Sequence, residues 1–201
     1  MDPFSYLVVL TSIVLGLGVT RLVGGLGHLL QTRKRRRTYW LHTLWTLNLL
    51  LVMVIVWWFA YRWHAYEHWT FFLFLWLLLS PIILYLIASL LFPDAEGEQP
   101  VTDWRAHFGE NQRDIFLLLA LIFPIDIIDT LLKGAAHFHN QGPPYFITMG
   151  LWFTLCLVAA FTKSARYHAF FAVIFVVYNL ALLGASLITD RGVSVPLLHS
   201  P

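Results

Sequence analysis

Charge is scarce in this chain. Asp, Glu, Lys and Arg make up 12% of its 201 residues, about half the share of an ordinary soluble domain. Cysteine is nearly absent as well: Cys156 stands alone, which excludes an intrachain disulfide and any metal cluster built on thiolates. The sequence contains no G-x-S-x-G, no H-E-x-x-H and no C-x-x-C, so the common hydrolase, zinc-protease and redox signatures are missing. Its densest glycine run, "GGLGH" (24–28), sits inside an apolar block rather than between a strand and a helix, and so does not qualify as a nucleotide-binding loop. Nothing in the residues specifies a reaction.

What is abundant is hydrophobicity. Apolar residues reach 59% and fall in blocks long enough for the ~20 residues a helix needs to cross a bilayer. The chain therefore reads as an all-α integral membrane protein with six transmembrane helices, at 5–30, 39–61, 69–92, 114–134, 145–162 and 167–188. No cleavable signal is expected, since the first block is long and lacks a basic leader. The first connector, "QTRKRRRT", holds five consecutive basic residues, Arg33 to Arg37. Positive charge stays cytoplasmic, so the first span should run outside to inside. Alternation then places Arg105, Arg113, Lys163 and Arg166 inside and puts both termini outside, as in a bacterial-type inner-membrane protein. Topology explains the basic run without nucleic acid. The expected partners are the lipid bilayer and either a second copy or another membrane protein.

Tryptophans mark the same boundaries. Trp40, Trp57, Trp58, Trp63 and Trp69 flank the second and third spans, where an indole meets both lipid and water. Residues 93–113 read as a cytoplasmic linker with an acidic patch at Asp94, Glu96 and Glu98. The competing expectation for that segment is a short interfacial helix, capped by Thr102, with Trp104 and Phe108 facing lipid.

The two halves, 1–92 and 114–188, echo each other ahead of a tail at 189–201. "TRLVGGLGH" (20–28) returns as "DTLLKGAAH" (129–137), and the third span, from "HWTFF", parallels the sixth, from "YHAFF". Three spans is an odd number, so a duplication would be inverted, as in many transporters. The two Asn-Pro-Ala motifs of the aquaporins, a six-span inverted-repeat family, are absent.

Ionisable residues inside spans are expensive and point to function by default. Here they are Arg21, Asp126 and Asp129. The two aspartates lie three apart and share a helix face. Counting ~1.5 Å per residue puts Arg21 and Asp126 near the same depth, which predicts an ion pair with Asp129 as the surplus charge. Asn48 and Asn179 would join this polar centre, and Gly16, Gly24 and Gly27 would form a close-packing stripe on the first helix. That centre suggests a small transporter or channel for an ion or small solute. The alternative is a non-transporting subunit or sensor whose ion pair is structural. A third expectation, a bis-His haem protein, would draw on His28 with His42, or on His137 with His64 or His68. The preferred readings require no cofactor and no metal site.

Overall fold

A computed structural model describes residues 3–32, 38–60, 63–64, 66, 69–93 and 103–192. The basic run 33–37, the acidic patch at 94–98, Thr102 and His68 lie outside the described residues. Six helices follow in order: α1 (Pro3–Thr32), α2 (Trp40–Ala60), α3 (Phe71–Leu91), α4 (Trp104–Leu132), α5 (Ala135–Phe161) and α6 (Ala165–Gly192). Each contains a stretch long and apolar enough to cross a membrane.

Side-chain contacts fix how the helices run. Phe4, at the start of α1, lies 6.2 Å from the Trp69 ring just before α3, while Arg21 reaches Phe92 just after it. The two helices are therefore parallel. α4 is antiparallel to α3, because His107 meets the end of α3 at Leu90 and Asp129 meets its start at Trp76. α5 turns back along α4, with Gln112 bonded to Ala159 at one end and Tyr145 to Asp126 at the other. Two ends of the bundle result. One carries Arg105, Arg113 and Lys163 and is called the basic end. The other gathers Trp57, Trp63, Trp69 and Trp76 and is called the tryptophan end.

α2 passes among α1, α3 and α6. Trp45 packs edge-on against Phe116 of α4 at 4.8 Å and Phe171 of α6 at 5.2 Å. Trp152 of α5 lies 5.2 Å from Phe175 and 4.8 Å from Tyr178. Aromatic edges and faces thus join four helices where aliphatic packing alone would be less directional. Trp40, Trp57 and Trp58 stay exposed at the ends of α2, the placement their amphipathic rings favour at a lipid boundary.

Three expectations change. α4 begins at Trp104, ten residues earlier than the hydropathy suggested, because Asp103 caps it: its Oδ1 accepts from the N–H groups of Arg105 at 2.8 Å and Ala106 at 3.4 Å. Trp104 and Phe108 consequently belong to α4, and both are buried, not turned to lipid. α5 likewise starts early, at Ala135, and is broken at Gly142, whose φ of 70° leaves the helical region. Glycine adopts that left-handed φ freely, and Pro143 and Pro144 then open the resumed helix, where a missing N–H does no harm.

The halves also differ in their neighbours. α1 packs chiefly along α3, whereas α4 packs chiefly along α5 and α3. On α1, Gly16 and Gly24 are exposed, and a Cβ added at Gly16, Gly24 or Gly27 would meet nothing within 4 Å. The packing glycines are instead Gly18 and Gly25. A Cβ at Gly18 would lie 2.6 Å from the Met53 methyl, and one at Gly25 would run into the Phe92 ring. The close-packing face is thus the stripe that also carries Arg21, displaced from the expected one.

Candidate functional site

Arg21 does not meet Asp126. Its Nε donates to the Phe92 carbonyl at 2.9 Å, and one terminal nitrogen donates to Ser89 Oγ at 2.8 Å and more weakly to Tyr85 Oη at 3.4 Å. All three partners belong to the last turns of α3. The last carbonyls of a helix have no partner within it and carry partial negative charge, so they stabilise a guanidinium placed there. Ser89 Oγ also donates to the Tyr85 carbonyl at 3.1 Å, which leaves its lone pairs to Arg21.

The neighbouring carbonyls are treated in the same way. His42 of α2 binds Leu91 O through Nε2 at 3.0 Å, and His107 of α4 binds Leu90 O through Nε2 at 3.0 Å. A carbonyl only accepts, so both ring nitrogens carry the proton. Three consecutive carbonyls ending α3 are therefore capped by side chains from three different helices. His42 is fully buried, with Phe92 and Trp104 each 4.9 Å away and Phe108 at 6.3 Å. With Nε2 committed and aromatic rings on several sides, His42 has no open face for a porphyrin. His28 is exposed on α1, and His137 is hydrogen-bonded to Gln141 on its own helix at 3.2 Å. Among the described residues no cluster of His, Cys, Asp and Glu is arranged to hold a metal.

The aspartates form a separate group at the tryptophan end. Trp76 Nε1 donates to Asp129 Oδ1 at 2.7 Å. Tyr145 Oη donates to Asp126 Oδ2 at 2.6 Å and lies 3.0 Å from Thr130 Oγ1. The tyrosine proton is already given to the carboxylate, so the threonine hydroxyl is the donor in the second contact. The chain Thr130 to Tyr145 to Asp126 leaves α4, crosses α5 and returns to α4 one turn away. Lys133, one turn beyond Asp129, places its Nζ 4.6 Å from the centre of the Trp63 ring. No ion pair joins Asp126 or Asp129 to a cation among the described residues.

α3 measures the separation of the two groups. Trp76 binds Asp129 and Ser89 binds Arg21, thirteen residues apart, or about 20 Å along the helix. An arginine side chain cannot bridge that distance. The asparagines lie elsewhere again. Asn48 Nδ2 donates to Ala172 O on α6 at 3.1 Å, and Asn179 Nδ2 donates to Phe175 O on its own helix at 2.8 Å. The five residues expected to make one polar centre occupy four places.

Sequence reasoning missed Trp76 and Tyr145 as partners of the carboxylates. The available signal was their N–H and O–H, since a buried indole or phenol seeks an acceptor and few acceptors exist in apolar helices. It also missed the α3 terminus as a partner for Arg21, because backbone carbonyls have no signature in a sequence. No protein-family model matches the chain, and no curated protein or solved structure is significantly similar to it.

Proposed function

We propose that this chain is an integral membrane protein that moves a proton or a monovalent cation, with Asp126 and Asp129 as the residues that bind it. One observation carries this reading: both carboxylates lie within an apolar helix and are held by neutral donors, Tyr145 and Trp76, rather than by a cation. A structural ion pair would neutralise its carboxylate. A hydrogen bond from a phenol or an indole orients the carboxylate and leaves its charge available. Asp126 is exposed on α4, and Asp129, one turn on, is half-buried. Intramembrane carboxylates with this kind of support recur on ion and proton paths.

The test is flux in reconstituted vesicles. Parent protein should dissipate an imposed proton, sodium or potassium gradient faster than empty vesicles do. Asp126→Asn should reduce that rate at least tenfold while the gel-filtration profile and helical circular dichroism stay unchanged. Equal rates in parent and empty vesicles for all three cations would end the transport reading.

A second reading, a non-transporting membrane subunit, draws support from Arg21. Its guanidinium caps α3 rather than meeting Asp126, which removes half of the expected functional centre. On this reading a partner protein co-purifies from native membranes and is lost when residues 94–101 are replaced by a neutral linker, with α4 and its Asp103 cap left intact.

A further inference from the structure

At the basic end, a cavity of about 310 Å³ opens between the first turns of α4 and the α5–α6 turn. Tyr39, Arg105, Glu110, Gln112, Lys163 and His168 contribute to its lining. We propose that this cavity binds the phosphate of an anionic lipid headgroup between Arg105 and Lys163.

The frame beneath the two cations is rigid. Gln112 is buried, and its Nε2 donates to Ala159 O at 2.9 Å and to Thr162 O at 2.7 Å. His168, also buried, binds the same Thr162 carbonyl through Nε2 at 2.8 Å. Three bonds from α4 and α6 thus hold the turn that presents Lys163. Arg105 is steadied differently, with its guanidinium carbon 6.0 Å from the centre of the Tyr39 ring, a cation–π distance. Neither Arg105 nor Lys163 forms an ion pair among the described residues, and Glu110, the one acid in the lining, is likewise unpaired. Two cations lining one cavity beside a hydrogen-bonded turn, neither of them ion-paired among the described residues, suit a phosphate that accepts several charge-assisted hydrogen bonds.

The position favours a lipid as the source of that phosphate. Arg113, one turn deeper on α4 than Gly109, lies 5.5 Å from the Phe161 ring at the end of α5. Cations flanking the ends of apolar helices meet headgroups directly in a bilayer. This source rests on the membrane reading above, whereas the phosphate site itself does not.

Binding is measured on the full chain in neutral detergent, by the shift in melting temperature and by native mass spectrometry. The three probes are short-chain phosphatidylglycerol, a diacylglycerol with the same tails, and inorganic phosphate. Phosphatidylglycerol should form a discrete one-to-one adduct and stabilise the protein, and the diacylglycerol should do neither. Arg105→Gln combined with Lys163→Gln should weaken phosphatidylglycerol binding at least tenfold. Glu110→Gln should strengthen inorganic phosphate binding severalfold, a change of opposite sign that general destabilisation would not produce. If phosphate alone binds as tightly as the lipid, the anion site stands and its ligand is the free ion. If the diacylglycerol binds as well as phosphatidylglycerol, or the double variant binds like the parent, the proposal is wrong. Its failure would leave the flux assay at Asp126 unaffected.

Discussion

The two charged regions of this molecule solve the same problem in opposite ways. At the basic end, Arg21 donates to a helix terminus that needs donors. At the tryptophan end, Asp126 and Asp129 accept from neutral side chains that would otherwise be unsatisfied. The arginine is therefore part of the fold, since it supplies a donor to the Phe92 carbonyl at the end of α3. The carboxylates are held in place by neutral donors, with no ion pair to a cation among the described residues. Depth in an apolar helix does not by itself separate a structural charge from a functional one; the partner does.

The largest test of this contrast is Arg21→Ala. It leaves the Phe92 carbonyl without its donor and opens space beside Gly18 and Gly25, and hydrogen bonds to charged groups are worth about 1.5–3 kcal/mol each. We expect a loss of roughly 3 kcal/mol, read as a lower melting temperature in detergent. Asp126→Asn should change stability by under about 0.5 kcal/mol, as is usual for an exposed position. Equal losses from the two variants would break the comparison.

A smaller effect comes from the glycines. Gly25→Ala would push a methyl into the Phe92 ring, which cannot easily yield because His42 and Trp104 pack against it. Overpacking of that kind costs about 1–3 kcal/mol. Gly24→Ala faces open space and should be neutral, or stabilising by up to about 1 kcal/mol through helix propensity. Thermal melts of the two single variants read out which stripe of α1 is packed, and the reverse order would restore the expected stripe at Gly16, Gly24 and Gly27. The smallest effect is Tyr145→Phe, which removes one hydroxyl shared by Asp126 and Thr130. A loss near 1 kcal/mol is expected, together with altered flux, and a silent variant in both assays would separate Tyr145 from the site.

Most of the fold could be read from hydropathy. All six helices were expected, and the bounds of α1, α2 and α3 agree within two residues. The starts of α4 and α5 were missed by ten residues each, for local reasons. Polar residues between Asp103 and Arg113 looked like a connector, yet their apolar members Trp104 and Phe108 pack inward on His42. Gly142 and the two prolines looked like a boundary, and they mark a kink inside α5 instead. The site was less legible. Choosing Arg21, Asp126 and Asp129 required only their charge and position. Pairing them required knowing which helices and which turns face each other, and counting residues from estimated span ends supplies neither. The caps on α3 could not be read at all, since histidine-to-carbonyl bonds join residues with no complementary chemistry in the one-letter code.

The cap on α3 also has a consequence in time. Arg21 precedes Tyr85 by 64 residues and Phe92 by 71. In a chain that enters the bilayer helix by helix, α1 arrives with its guanidinium unsatisfied and waits there until α3 has been made. During that interval a charge in a spanning helix would be disfavoured by about 2.5–3.5 kcal/mol. Arrival of the α3 terminus then fixes α1, with His42 and His107 closing on the adjacent carbonyls from either side. In such a chain α1 is made well before the α3 terminus that its arginine caps.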